Sequence, residues 1–318
     1  MTSMILKKLF SIIPLLLLVS IILFVLINLL PGDAAMSMVT EGASEDYLNK
    51  VRMEMGLDQP PLIRYFQWLG NVLRGDFGKS LISNQQVSVK LAQRLPVTLE
   101  ITLAAMVVSI LIAVPLGILS AIRRNSVFDM IGSFVSMLGI AMPPFWMGML
   151  LVLVFSVNLG VLPASGFVPF AVDPLGNLRS ILMPSVCIGV AFAATVMRQT
   201  RSALLEVLEQ DYITTAYAKG LKGRFVIWKH ALRNALIPVV TVITMQIGRL
   251  IGGAVVTETV FALPGVGREI VDAILARDYP VVMGMILVVA ALVVVTNALV
   301  DVLYILIDPR ISTQAKKS

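Results

Sequence analysis

A single histidine and a single cysteine occur among the 318 residues of this chain. His230 alone cannot form an HExxH zinc helix, and a Ser-His-Asp triad would have no base but His230 itself. Cys187 is the sole cysteine and lies within an apolar run: no intramolecular disulfide can form, and a catalytic thiol or cysteine-based metal site is not expected. Charge is scarce as well: Asp, Glu, Lys and Arg make up 14% of the chain and hydrophobic residues 58%, with a mean hydropathy of +0.90. Such a composition excludes an ordinary soluble domain and describes a polytopic membrane protein; an all-α fold is expected, and neither catalytic residues nor a metal site are expected in it. Internal repeats and low-complexity segments are also missing.

What the chain does contain is long apolar runs. About 20 residues cross a bilayer as a helix, and runs of roughly that length lie near 9–30, 99–122, 131–158, 181–197, 236–258 and 281–306, giving six expected spans. Pro143 and Pro144 interrupt the third, where they remove backbone donors and predict a kink.

The basic residues follow topology instead of forming a nucleic-acid stripe, although the net charge is +6. Lys7 and Lys8 precede the first span, Arg123 and Arg124 follow the second, the 198–234 loop is rich in Lys and Arg, and Arg310, Lys316 and Lys317 lie in the tail. The 159–178 loop has neither Lys nor Arg. By the positive-inside rule both termini and the 198–234 loop are cytoplasmic, and the long 31–98 region is external despite its charges. The first apolar run exceeds the roughly 7 to 15 residues of a signal-peptide core, so it reads as a retained span. Three segments are expected: 1–98, a first transmembrane helix with an external amphipathic segment; 99–310, a five-helix core holding the 198–234 loop; and 311–318, a cytoplasmic tail.

Within the external region, Leu62, Tyr65, Phe66, Trp68, Leu69 and Leu73 recur at helical spacing, which predicts an amphipathic helix lying on the membrane or on the span bundle. The following GDFGKS at 75–80 spells the end of a phosphate-binding loop. The glycine needed five positions before Gly78 is Leu73, so a nucleotide site is not expected there. The acids Glu100, Asp129, Glu258 and Asp301 fall at or near span ends, where they are expected to be interfacial; that arrangement weakens a proton-coupled reading.

The segment 211–238, DYITTAYAKGLKGRFVIWKHALRNALIP, is polar and basic between two apolar runs. Lys219, Lys222, Arg224, Lys229 and Arg233 supply charge; Tyr212, Ile213, Ala216, Ala218 and Leu221 supply small or apolar surface. Gly220 and Gly223 are expected to break it into two short helices. Charge alone would suit a topological anchor, but an anchor does not require small residues and paired glycines. His230 reads as an interfacial helix-face residue.

The cluster Ala216, Ala218, Lys219, Gly220 and Leu221, followed by HALRNA at 230–235, resembles the cytoplasmic EAA loop of ABC importer permeases of the dipeptide, oligopeptide and nickel branch. Thr214 and Thr215 stand where the general motif has Glu and Ala, and the motif's late proline position falls near Arg233. PGDA at 31–34, MGLDQP at 55–60, GDFGKS, RLPVTLE at 94–100, TETVFALPGVGR at 257–268, RDYPVV at 277–282 and DPR at 308–310 resemble further landmarks of that branch in order. The resemblance implies a type I ABC importer permease fold of about six transmembrane helices in the bacterial inner membrane. It also implies a coupling helix at Asp211, Tyr212, Thr214, Thr215, Ala216, Ala218, Lys219, Gly220 and Leu221. Its implied partners are a second, different permease, two cytoplasmic ATPase subunits that bind ATP and Mg, an extracytoplasmic substrate-binding protein, and lipid, but no nucleic acid.

Transport of di- or oligopeptides is the reading this favours; the same machinery would also suit nickel or another metal chelate, glutathione or an oligosaccharide. A secondary transporter is the alternative of a different class. TETVFALPGVGR joins the fifth and sixth spans, and Gly265 and Gly267 predict a tight reversal. Gln246 and Arg249, with Gly253, share a helical spacing, and together with Glu258, Phe261, Pro264 and Gly265 they are candidates for the translocation path or its outer gate. A bland alternative has Arg249 snorkelling or pairing with Glu258. Gly248 and Gly252 form a GxxxG pair suited to packing against a second permease.

Overall fold

The computed structural model describes the backbone of residues 2–29, 53 and 58–307, and the side chains of 10–29, 53 and 58–300. PGDA, the MGL of MGLDQP, DPR and the 311–318 tail lie outside the described residues, as do the side chains of Lys7, Lys8 and Asp301. In chain order the helices are α1 (Thr2–Leu29), α2 (Pro61–Leu73), α3 (Val87–Ile122), α4 (Val127–Ala141), α5 (Pro144–Asn158), α6 (Pro174–Leu208), α7 (Asp211–Ala218), α8 (Gly223–Val260), α9 (Val266–Leu275) and α10 (Tyr279–Ile307). Among the described residues the only β pairing is an isolated bridge between Lys79 and Gln86.

Five of these helices are long and apolar enough to cross a membrane, and α4 with α5 makes a sixth crossing if the bent pair counts as one span. The bend is 108°, far more than the kink expected. Two consecutive prolines remove two donors, and each disfavours helical backbone in the residue before it; Met142 and Pro143 are extended, at ψ 121° and 135°, and Pro144 starts the next helix. The second and fourth spans begin earlier than their apolar runs do. At α6 the cause is a cap: Asp173 accepts a hydrogen bond from the Leu175 N–H at 3.0 Å, with Pro174 at the first helical position, a pairing that starts helices well.

The chain forms two compact units, Met1–Thr98 with Pro264–Ser318, and Leu99–Leu263. In the first, α1 packs along α10. The amphipathic helix α2 buries Tyr65, whose hydroxyl bonds Ser20 Oγ at 2.8 Å and whose ring meets Phe24 edge-on. Leu62, Phe66 and Leu73 of the same helix remain exposed. The GDFGKS turn is a structural clasp: buried Asp278 accepts from Ser80 Oγ and, at 3.0 Å, from the Leu81 N–H. Its core is Val87, Leu91, Val266, Ala273, Val281, Val282 and Met285.

The connection after α8 departs from the expected glycine reversal. Ala262 takes the left-handed backbone, φ +52°, Gly265 is extended, and Gly267 lies inside α9. That helix is fixed by its Val266 N–H donating to Thr98 Oγ1 at 2.8 Å and by Glu269, which pairs with Lys90 at 2.7 Å and Arg94 at 3.0 Å.

In the second unit α6 packs against α4 and α8. Leu204, Ile213, Val226, Ala231, Leu232, Ala235 and Val239 form much of its core. Two of the acids at span ends are buried within the protein: Asp129 is 6% exposed and Glu258 0%. Asp129 is matched by Arg201, as buried charge demands. Cys187 is buried, its thiol donating to the Pro144 carbonyl.

Candidate functional site

The polar segment folds as one short helix and the start of a long one. Asp211 opens α7, its charge suited to a helix N-terminus, and Thr215 Oγ1 bonds the Asp211 carbonyl at 2.9 Å. The helix stops at a Schellman motif: the Gly220 N–H reaches the Tyr217 carbonyl at 2.9 Å and the Leu221 N–H the Ala216 carbonyl at 3.4 Å. Gly220 sits at φ +75°, a conformation that costs a side-chain-bearing residue energy. Gly223 does not break anything further. It begins α8, so the second of the two expected short helices is the first turns of a 38-residue helix.

Two residues plug α7 into the second unit. Ile213 is 1% exposed and Ala216 9%, both within the cluster of Leu204, Val226 and Ala231. Ala216, expected as a contact residue, therefore faces inward and holds the helix in place. Tyr212, Thr214, Thr215, Ala218, Lys219, Gly220 and Leu221 are exposed together with Asp211. Tyr212 is also tied down, its hydroxyl accepting from Asn234 Nδ2 at 2.8 Å.

Around this face stand aromatic residues that the sequence reading passed over: Tyr217, Phe225 and Trp228 are 46%, 44% and 58% exposed. Lys229 lies over the Phe225 ring at 4.9 Å and His230 meets the same ring edge-on. Lys219, Lys222, Arg224, Lys229 and Arg233 are all exposed or half-exposed. Aromatic and arginine side chains on a surface outside the apolar spans are the composition of protein–protein anchors. The available signal was the density of aromatics in a polar segment.

The candidate path residues do not share a surface. Gln246 is 7% exposed, and its Nε2 has no hydrogen-bond partner among the described residues. Arg249 is exposed, whereas Glu258 and Phe261 are buried at 0% and 1%. Nine residues of helix separate Arg249 from Glu258, about 13 Å of rise, so the pairing of those two does not form. The exposed stripe of α8 runs instead through Asn234, Ile237, Met245, Arg249, Gly252, Val256 and Thr259. Its neighbours Thr241 and Thr244 spend their hydroxyls on helix carbonyls. Gly252 opens onto this stripe with no atom within 4 Å of a Cβ placed there, and Gly248 is buried, so the GxxxG pair does not present one face. Phe261 plugs the end of α8, its ring within 3.2 Å of a Cβ placed on Gly148, and its carbonyl accepts from the Gly166 N–H at 3.1 Å. Pro264 is half-buried and Gly265 buried.

Comparison with known proteins bears on this arrangement. A family described as binding-protein-dependent transport system inner membrane component matches residues 113–313, and that family's N-terminal region matches residues 1–102. A Brucella suis protein named as a permease of a peptide transport system is 45% identical over 98% of this chain and 99% of its own length. The glutathione transport system permease protein GsiC of Salmonella choleraesuis is 40% identical over 98% of this chain and 99% of its own length. Among solved structures, an inward-facing MetNI methionine ABC transporter chain overlays with a TM-score of 0.57 at 18% identity, covering 69% of this chain and 96% of that one. The last likeness speaks for the fold.

Proposed function

We propose, for a chain that belongs to the family of binding-protein-dependent transport system inner membrane components, that its cargo is a di- or oligopeptide handed over by an extracytoplasmic binding protein. Membership makes it a multi-pass permease subunit of the inner membrane rather than an enzyme, and it removes the secondary-transporter alternative. The cargo reading rests on one observation, the full-length likeness to a relative named for peptide transport. Glutathione, itself a tripeptide, is the second reading, favoured by the likeness to GsiC.

In this scheme two ATPase subunits bind ATP and Mg and hydrolyse the nucleotide, one of them gripping the exposed face of α7. The face is built for that use: Asp211, Tyr212, Thr214, Thr215, Ala218, Lys219, Gly220 and Leu221 face outward, while Ile213 and Ala216 transmit any push into the core. A second, different permease packs on the open stripe of α8, and cargo crosses between the two chains. Mass spectrometry of ligand retained by the cognate binding protein tests the cargo: di- or oligopeptides, or glutathione, are expected, and a retained metal chelate or oligosaccharide would refute the reading.

The termini and α7 are assigned to the cytoplasm and residues 31–98 to the outside by their charge pattern. In a Cys187→Ser background, impermeant maleimide applied to intact cells is expected to label Ser83→Cys and spare Lys222→Cys; the opposite pattern refutes the orientation. Arg249, charged, exposed and mid-helix, is assigned to the water-filled path, since facing lipid there would cost on the order of 2.5 to 3.5 kcal/mol. Arg249→Met is expected to slow uptake of acidic peptides severalfold and Arg249→Lys to restore most of it, whereas full uptake by an assembled Met variant removes Arg249 from the path.

A further inference from the structure

Three helix ends meet at one buried carboxylate. Asp129, in the first turn of α4, is 6% exposed, and both its oxygens are shared. Oδ1 accepts from Arg201 Nε at 2.7 Å and from Ser120 Oγ; Oδ2 accepts from Arg201 Nη2 at 2.9 Å and from the Asn125 N–H at 3.0 Å. Ser120 belongs to the last turn of α3 and Arg201 to the last turns of α6. A two-pronged guanidinium–carboxylate pair has a fixed relative orientation, unlike a single bond that can swivel.

Two close contacts flank the junction, one of them rigid. A Cβ placed on Gly117 of α3 would lie 2.7 Å from Thr200 Cβ, and one on Gly132 of α4 would collide with the end of the Met197 side chain. α3 thus rests tightly on α6 at the turn just before Arg201, whereas α4 meets α6 there through the movable end of a methionine, so the Asp129–Arg201 pair is what fixes α4.

The placement matters because of the chain beyond Arg201. After α6 ends at Leu208, only Glu209 and Gln210 precede α7, and Ile213 and Ala216 return to pack on Leu204. The end of α6 and all of α7 therefore form one body. On the other side of the lock, α4 is the first half of the span that bends by 108° at Pro143.

We propose that Asp129 and Arg201 are positioning residues for transport: their paired geometry fastens the α6–α7 body to α4, so that force arriving on α7 moves the broken span. The proposal rests on the reading that α7 receives an ATPase. The lock touches neither nucleotide nor cargo. Losing it is expected to separate ATP hydrolysis from movement of the spans instead of stopping hydrolysis.

The test uses the whole complex, with both permeases, the ATPases and the binding protein, in proteoliposomes. Asp129→Asn keeps the shape and removes the charge that holds both prongs. Trialanine uptake per ATP hydrolysed is expected to fall about tenfold, the scale of a typical coupling energy, while the rate of ATP hydrolysis without cargo stays at the wild-type value. A second readout does not depend on cargo. An environment-sensitive fluorophore at Met137→Cys on α4, exposed and remote from the lock, reports movement of that helix when ATP and vanadate trap the complex in a Cys187→Ser background. The trapped-state signal is expected in the otherwise unmutated complex and largely lost with Asp129→Asn, with the nucleotide-free signal unchanged.

Wild-type uptake per ATP together with a full trapped-state signal in Asp129→Asn overturns the proposal. If that variant does not assemble, Ser120→Ala decides: removal of one supporting bond is expected to lower uptake per ATP about twofold, and a wild-type ratio overturns the lock. Absence of trialanine uptake by the unmutated complex would count against the peptide reading alone, since the fluorophore still reports the lock.

Discussion

Two short helices flank the long helix α8, and they are held by opposite means. α7, on its N-terminal side, is fixed by apolar plugs, Ile213 and Ala216, and by one exposed hydrogen bond from Asn234 to Tyr212. α9, on its C-terminal side, is fixed by polar bonds: Val266 to Thr98, Glu269 to Lys90 and Arg94, and the Asp278 clasp just beyond its end. Apolar contacts are non-directional and tolerate small shifts of a helix, whereas a network of buried hydrogen bonds permits one geometry. α7 is thus seated by packing and α9 by directional bonds.

The contrast can be broken most strongly at the clasp. Asp278→Ala leaves the Ser80 hydroxyl and the Leu81 N–H without their acceptor in a buried place. A loss of about 2 to 3 kcal/mol of stability is expected, read as a lower melting temperature of the purified chain in detergent, with the coupling face unaffected. An unchanged melting temperature would show that the polar attachment is ornamental.

Next in size is the stop of α7. Gly220→Leu forces a branched side chain into left-handed backbone at a cost of about 1 to 2 kcal/mol, enough to unwind the Schellman motif and displace Lys219 and Leu221. Co-purification of the ATPase subunits and transport are expected to drop together, while Gly220→Asn, which tolerates that backbone, keeps both. Wild-type association by the Leu variant would mean that the stop does not shape the docking face.

The smallest effect is expected from Tyr212→Phe, which removes one exposed hydrogen bond worth about 0.5 kcal/mol. Stability should hardly change, and ATPase affinity should fall only slightly. A stability loss as large as that of the clasp variant would mean that α7, too, depends on polar bonds.

Particular residues mark how far the sequence could be read. The spans, the amphipathic character of α2 and the stop at Gly220 depend on local composition and periodicity, and all were legible. The fold family was legible too, through short motifs in order. The 108° bend was half legible: Pro143 and Pro144 announced a break, but its angle depends on what α5 packs against, including Phe261 on Gly148. The burial of Asp129 and Glu258 was not legible, because nothing near a carboxyl at a span end in the sequence shows that a partner such as Arg201, 72 residues away in the chain, is brought to it.

By itself, then, the sequence determined which stretches are helical and apolar, because that property arises from neighbours a few residues apart. Only the tertiary structure decided which way each side chain faces. Ala216 turns inward while Ala218 faces out, and Gln246 is buried while Arg249 is exposed, although each pair sits in one helix and one motif. A helix rotates each residue by about 100° relative to the last, so the face a residue presents is set by the helices packed beside it, which no local pattern encodes.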